Sequence, residues 1–290
     1  MLAMKLLLCK TLWGHTGSLE QAAQLAVDAG FGGIEAPVPI DAPGVEHFAQ
    51  VLQTHGLVWI QEICTAGSYV PRRHATISEH LRDFESQLHR GLDISARFAN
   101  IMGGCDAWEI DDSVRFFSEA QNIAERIGVT CSFETHRGRS FFTPWNTVKI
   151  LDRLPGLKVT CDFSHWTVVC ERLMDSEWEA TVRVAQQAHH IHGRVGYDQG
   201  PQVPHPGAPE YAAALASHQR CWEAVWDSQN GRGYTQVTMT PEFGPDGYLH
   251  TLPFTGAPIA DLWDLNCWIG ATERRHFERF STASPSASVA

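Results

Sequence analysis

Residues 129–136 read Val129-Thr130-Cys131-Ser132-Phe133-Glu134-Thr135-His136, and residues 157–165 read Leu157-Lys158-Val159-Thr160-Cys161-Asp162-Phe163-Ser164-His165. Each is a short β-branched and apolar run that ends in polar, ionisable residues. Between them, Thr143-Pro144 has the form of an N-cap followed by proline at the first helical position, and it opens a helix to Leu154. A strand, a helix and a second strand make a parallel pair, because the helix carries the chain back across the sheet.

Outward from this unit, the same alternation recurs about eight times. Strands are expected at Lys5 to Leu12, Gly33 to Val38, Val58 to Cys64 and Phe98 to Met102, then at Val129 to Glu134, Leu157 to Asp162, His189 to Val195 and Thr235 to Phe243. The first helix opens on a Ser18/Gln21 capping box, aligns Leu19, Ala22, Ala23 and Ala26, and stops at Gly30. The second lies around Val45 to Thr54. The third opens on Thr76/Glu79 and aligns Ile77, Leu81, Phe84 and Leu88. Asp111 or Asp112 is expected to cap the fourth, which aligns Phe116, Ala120, Ile123 and Ile127. Later helices are expected from a Ser176/Glu179 box to about Ala188, from Glu210 to about Gln229, and from Pro258 to Phe280. A Gly/Pro-rich loop, Gly196 to Pro209, follows the seventh strand, and loops of that length are commonly functional.

The fold expected is an α/β (β/α)8 TIM barrel, with residues 1–280 as one domain and a Ser/Ala/Pro-rich tail over 281–290 disordered. A doubly wound open sheet is disfavoured, because no Gly-rich phosphate loop follows the first strand.

Composition narrows the partners. The chain of 290 residues carries a net charge of −11 and no basic run beyond Arg72-Arg73 and Arg274-Arg275, which argues against nucleic acid. Met1 to Cys9 is apolar but too short to span a bilayer, and no later stretch is long enough, so no membrane association is expected. The eight cysteines form no C-x-x-C pair and read as reduced thiols of a cytoplasmic protein. A homo-oligomer is the default expectation for assembly.

The ends of the last four strands carry the chemistry. Glu134 and His136 follow strand five, and Asp162 and His165 follow strand six. Strand seven holds His190, His192 and Arg194, and Glu242 ends strand eight in Thr240-Pro241-Glu242-Phe243. In a barrel the strand C-termini face one mouth, and side chains two apart share a side. Glu134, Asp162, His192 and Glu242 therefore converge. Carboxylates so crowded repel each other unless a cation lies among them. Three carboxylates and one imidazole form a hard, oxygen-rich set, suited to one divalent metal ion in an open site. Mn²⁺ is expected first, with Mg²⁺, Co²⁺ or Zn²⁺ as alternatives.

The strings Phe133-Glu134-Thr135-His136, Asp162-Phe163-Ser164-His165, His190-Ile191-His192 and Pro241-Glu242-Phe243 resemble the sugar phosphate isomerase/epimerase superfamily, the xylose isomerase-like barrels. This resemblance implies Glu134, Asp162, His192 and Glu242 as metal ligands, His165 as a substrate contact, and Glu134 and Glu242 as the proton-shuttling pair of ketose 3-epimerases. Two positions depart from the ketose 3-epimerase pattern. Ser140 stands where those enzymes carry a second glutamate, and Asp198 where they carry an arginine.

His136 is a candidate base or substrate contact, with a partner to Asp162 as the alternative. Arg194 is a candidate holder of a substrate oxygen, with a structural ion pair to a ligand carboxylate as the alternative. Glu35 and Glu62 end strands two and three and either reach the pocket or form buried pairs. Trp13, Trp108 and Trp166 lie near strand ends, either against a sugar face or in the core.

The expected activity is isomerisation or epimerisation of a keto sugar or related polyol, by proton transfer through a metal-stabilised enediolate, with Glu134, Glu242 and His165 as catalytic groups. The alternative is a metal-dependent lyase acting on a keto sugar, keto-glycoside or inosose. In that case, His136 or His165 would serve as the acid over the leaving group. Nuclease chemistry is disfavoured, since the strand ends Cys64-Thr65-Ala66 and Met102-Gly103-Gly104 offer no further histidines.

Overall fold

The computed structural model describes residues 4–245 and 247–283. Eight strands, β1 (Lys5–Thr11), β2 (Gly33–Pro37), β3 (Val58–Cys64), β4 (Phe98–Met102), β5 (Cys131–Glu134), β6 (Val159–Cys161), β7 (Ala188–Gly193) and β8 (Gln236–Pro241), pair in parallel and in sequence order. β8 closes on β1 through Leu6↔Val237 and its neighbours, so the sheet is the closed (β/α)8 barrel expected from the alternation. The helices are α1 (Leu19–Asp28), α2 (Ala42–His55), α3 (Ile77–Gly91), α4 (Ile110–Ile127), α5 (Pro144–Leu151), α6 (Phe163–Cys170), α7 (Trp178–Ala185), α8 (Ala212–Gly231) and α9 (Leu262–Ala283).

Alternation along the strands builds two separate apolar regions. Outward-facing Ile34, Ile63, Ile101, Phe133, Cys161, Ile191 and Met239 pack with the helices in one continuous core. Inside the barrel, Cys9, Ile60 and Phe98 form a small plug. One step further along the same inward faces come Glu35, Asn100, Ser132, His190 and Thr240, all buried. The barrel therefore has an apolar floor and a polar storey above it, which puts ionisable side chains just beneath the mouth.

Local signals hold where the cap is formed. Ser18 and Gln21 make both bonds of a capping box, as do Thr76 and Glu79, and Thr143 accepts from the Asn146 amide with Pro144 next to it. Three expectations differ. Glu109 occupies the N-cap of α4, and Asp111 and Asp112 lie in its first turn, where they still suit the helix dipole. Ser176 opens no helix. It lies in a 3-10 turn, donates to the Leu173 carbonyl at 3.0 Å, and α7 starts at Trp178. A short helix, α6, was not expected and begins directly at Asp162, its N-cap. Its residues are buried almost throughout the first turn, so no amphipathic period announces it.

All eight cysteines are unpaired. Among the described residues, no helix is long and apolar enough to cross a membrane. Of the 281–290 tail, residues 281–283 continue α9, and 284–290 lie outside the described residues.

Candidate metal centre and active site

Glu134 is the last residue of β5, and Asp162 follows β6. His192 lies in β7, and Glu242 follows β8. The register pairs Glu134 with Thr160, His192 with Thr240 and Gly193 with Pro241, which brings the four to one level. Each offers a ligand atom within 4.8 Å of the other three, and all four side chains are buried. The sequence expectation of convergence is met in space.

The surroundings of Asp162, Glu134 and His192 bond one atom of each on the outer side and turn the other toward the centre, where Asp162 Oδ2 also meets Arg194. The Asp162 Oδ1 oxygen accepts from the Ser164 amide at 2.9 Å and from its hydroxyl at 2.6 Å, the ordinary work of an N-cap, so Oδ2 faces inward. Asn100 donates to Glu134 Oε2 at 3.1 Å, leaving Oε1 on the inner side. His192 Nε2 lies 3.0 Å from Glu35 Oε1. Glu35 accepts also from Asn100, His190 and Thr240, which fills the lone pairs of both oxygens. Such a carboxylate keeps the proton of His192 on Nε2 and turns the Nδ1 lone pair toward the centre.

There, Nδ1 lies 3.1 Å from Glu242 and 3.6 Å from Glu134. It is buried and makes a sound hydrogen bond to neither. A buried imidazole nitrogen left unpartnered among three carboxylates is what a cation would satisfy. The residues present fit a divalent metal ion.

The electrostatics agree. Burial alone would lower the His192 imidazole, but Glu242, Glu35 and Glu134 outweigh it and hold it well above its usual range. Burial alone would raise the Glu35 carboxyl, but His192 and His190 hold it well below the usual carboxylate range. The centre thus calls for positive charge. In part it receives it from Arg194, whose Nη2 lies 2.5 Å from Asp162 Oδ2 and 3.6 Å from Glu242. Of the alternatives foreseen for Arg194, the structural ion pair with a carboxylate is formed, and the side chain also borders the cavity.

His165 Nε2 accepts from Arg194 at 2.7 Å and stands 3.6 Å from Asp162 Oδ2. His136 bonds the Arg137 carbonyl through Nδ1 rather than Asp162, and its ring lies 4.0 Å from that of His165. Burial holds His136 well below its usual range, with Arg139 and Arg194 adding to it. Burial does the same for His165, aided by His136 and Arg194, so the neutral form of both rings is favoured.

The cavity above the centre measures about 200 Å³ and is bordered by Glu134, Glu242, His136, Arg194, Glu62 and the aromatic rings of Trp13, Tyr69 and Tyr248. Trp13 and Tyr248 meet edge to face at 5.1 Å, and Arg194 stacks over Tyr248 at 4.8 Å. Trp13 therefore faces the cavity. Trp166 is wholly buried with its indole on the Phe141 carbonyl, and Trp108 packs on His80 and Phe116. Of the two acidic candidates, Glu35 lies beneath the centre, while Glu62 borders the cavity. Among the described residues, no Lys or Arg forms an ion pair with Glu62. Burial, reinforced by Glu35, Glu242 and Glu134, pushes its carboxyl up to about 8.

Sequence reasoning passed over Asn100, Tyr69, Tyr248 and Arg139. The Arg139 guanidinium is fully buried and donates to the carbonyls of Thr65, Ser68, Tyr69 and Gly104, tying the loops after β3 and β4 to the loop after β5. The two departures from the ketose 3-epimerase pattern lie away from the cavity. Ser140 is buried against Ser113 and Cys105, and Asp198 is exposed.

Comparison with known proteins places the chain. No curated protein sequence matches it. Among solved structures, a D-tagatose 3-epimerase-like protein superposes with a TM-score of 0.63 at 12% identity, covering 95% of this chain and 98% of the other. A xylose isomerase-like TIM barrel protein from Mycobacterium smegmatis, in complex with magnesium, gives 0.61 at 13%, over 98% and 97%. The probable 3-DHS dehydratase of Bacillus anthracis gives 0.59 at 15%, over 94% and 100%. At these identities the likeness is one of fold. A family model described as xylose isomerase-like TIM barrel matches residues 23–199, more than half of the sequence, and the chain belongs to that family.

Proposed function

We propose that the chain is a divalent-metal-dependent isomerase or epimerase acting on a keto sugar or related polyol. The observation that carries this reading is the unpartnered Nδ1 of His192 among Glu134, Asp162 and Glu242. A divalent ion held there would act as a Lewis acid toward a carbonyl and its neighbouring hydroxyl. The remaining work falls to side chains. Glu134 and Glu242 border the cavity, so one carboxylate takes the proton from the carbon next to the carbonyl, and the other returns it. Arg194 and His136 reach the same space and suit substrate oxygens. His165, bonded to Arg194, orients that guanidinium. The aromatic pair Trp13 and Tyr248 offers a face for a sugar ring.

Glu62 supports a second reading, a lyase. Its carboxyl is raised to about 8 by burial, borders the cavity and, among the described residues, forms no ion pair with Lys or Arg, so it can serve as the acid for a departing oxygen once the neighbouring C–H proton has left. The probable 3-DHS dehydratase that shares the fold is compatible with that chemistry.

Incubation of purified, Mn²⁺-supplemented protein with keto sugars and inososes in D₂O, followed by NMR, tests both. Deuterium on the carbon beside the carbonyl of an isomerised product supports the first reading. An unsaturated or cleaved product replaces it with the second. Protein that binds no divalent ion sinks both.

A further inference from the structure

Two spaces open side by side at the barrel mouth and share Trp13 and Glu62 in their walls. One is the cavity above the metal centre. The other is a groove of about 560 Å³ between the ends of β1 and β2 and the starts of α1 and α2, bordered by Leu12, Leu19, Pro37, Pro39 and Phe48. Their chemistry differs. The cavity presents carboxylates, a guanidinium and an imidazole. The groove is apolar apart from Glu62 at its inner end and His47 at its outer side, where His47 pairs with Glu20 at 3.0 Å.

The walls of the groove are well fixed. Phe48 is 3% exposed and packs edge to face on Trp59 at 5.5 Å. Trp13 is seated against Gly244, where even a methyl group would come within 1.9 Å of the indole. A bare sugar fills the cavity and leaves the larger, apolar space beside it idle. A second sugar unit in the groove would leave its hydroxyls facing Leu12, Leu19 and the two prolines, without partners.

We infer that the substrate is bipartite: a polyhydroxylated ring in the metal-side cavity that carries an apolar, ring-sized substituent lying in the groove across Trp13. Glu62 borders both spaces and so faces the linkage between the two parts. The inference names the substrate class of the function proposed above and rests on that reading.

Calorimetric binding of phenyl β-D-glucoside and methyl β-D-glucoside to the Mn²⁺-supplemented protein tests it. The phenyl compound is expected to bind at least roughly tenfold more tightly. The two affinities are expected to become equal in Leu19→Glu, and again in Pro39→Glu should the first variant fold poorly. Equal affinities in the unaltered protein, including the absence of measurable binding for both, overturn the inference. So does a phenyl preference that survives both substitutions. The D₂O assay separates this outcome from the chemistry. Metal-dependent turnover without phenyl preference removes only the groove, and phenyl preference without turnover removes only the proposed reaction.

Discussion

The Glu35 carboxylate meets Nε2 of His192 at 3.0 Å across 157 residues of chain. This contact decides which nitrogen of the imidazole faces the candidate metal centre. In Glu35→Gln, one amide end presents N–H groups to neighbours that are themselves donors, and His192 loses its orienting acceptor. Divalent-metal affinity, measured by calorimetric titration, is expected to fall roughly 10- to 100-fold. Unchanged affinity would remove Glu35 from the centre.

Arg194 supplies the guanidinium among Asp162 and Glu242. In Arg194→Met, those buried carboxylates lose their counter-charge, and chelator-treated protein is expected to be destabilised by about 3–5 kcal/mol. Saturating Mn²⁺ should recover much of the loss, so the thermal shift on adding metal is expected to be larger in the variant than in the unaltered protein. Equal shifts would show that Arg194 and the ion do not answer the same charge.

Glu134 and Glu242 divide the proton transfer in the proposed reaction. Glu242→Gln is expected to lower kcat by about 10²- to 10⁴-fold and to slow deuterium incorporation from D₂O in proportion. A fall in turnover without slower exchange would place Glu242 in metal binding alone.

Glu62 gives the two proposed chemistries different pH behaviour. Its carboxyl is raised to about 8, so the acid form prevails at pH 7 and is lost as pH rises through that value. If it protonates a leaving group, kcat declines on the alkaline side, and Glu62→Gln abolishes elimination together with that decline. If the reaction is an isomerisation, Glu62→Gln leaves turnover largely intact. A rate profile of the two proteins between pH 6 and 9 decides the matter.

Much of the fold and half of the site could be read from the residues. The β-branched runs and their capping boxes locate all eight strands, because burial on both faces demands such runs and helix ends demand those caps. The four candidate metal ligands are legible because parallel strand ends must share a mouth. What escaped depends on spatial neighbours. Asn100 sits in an ordinary buried strand, and nothing in Phe98–Met102 tells that its amide reaches Glu35 and Glu134. Tyr248 lies in a loop with no period. The α6 helix is buried on every side of its first turn, so it carries no amphipathic signature, and Asp162 could be read as a ligand but not as a cap.

His276 joins the last two helices by lying between Glu223 at 2.7 Å and Glu273 at 2.8 Å. Burial would lower its imidazole, but the two carboxylates raise it. A raised folded-state value means that the stabilisation is full below about pH 6.5, the unfolded value, and is lost as pH rises through the folded one. The Tm difference between the unaltered protein and His276→Gln is therefore expected to be widest near pH 6 and to narrow toward alkaline pH. A constant gap would assign His276 a packing role only.

Asp162 starts α6 with one oxygen and faces the centre with the other. Its reach toward an ion is thus limited to a single atom, and Asn100 imposes the same economy on Glu134. Single-toothed ligation by both would leave part of a divalent ion's shell to be filled from outside the four side chains. In this sense, the capping of one short helix sets how many hands the protein can offer such an ion, and how many would be borrowed from what enters the cavity.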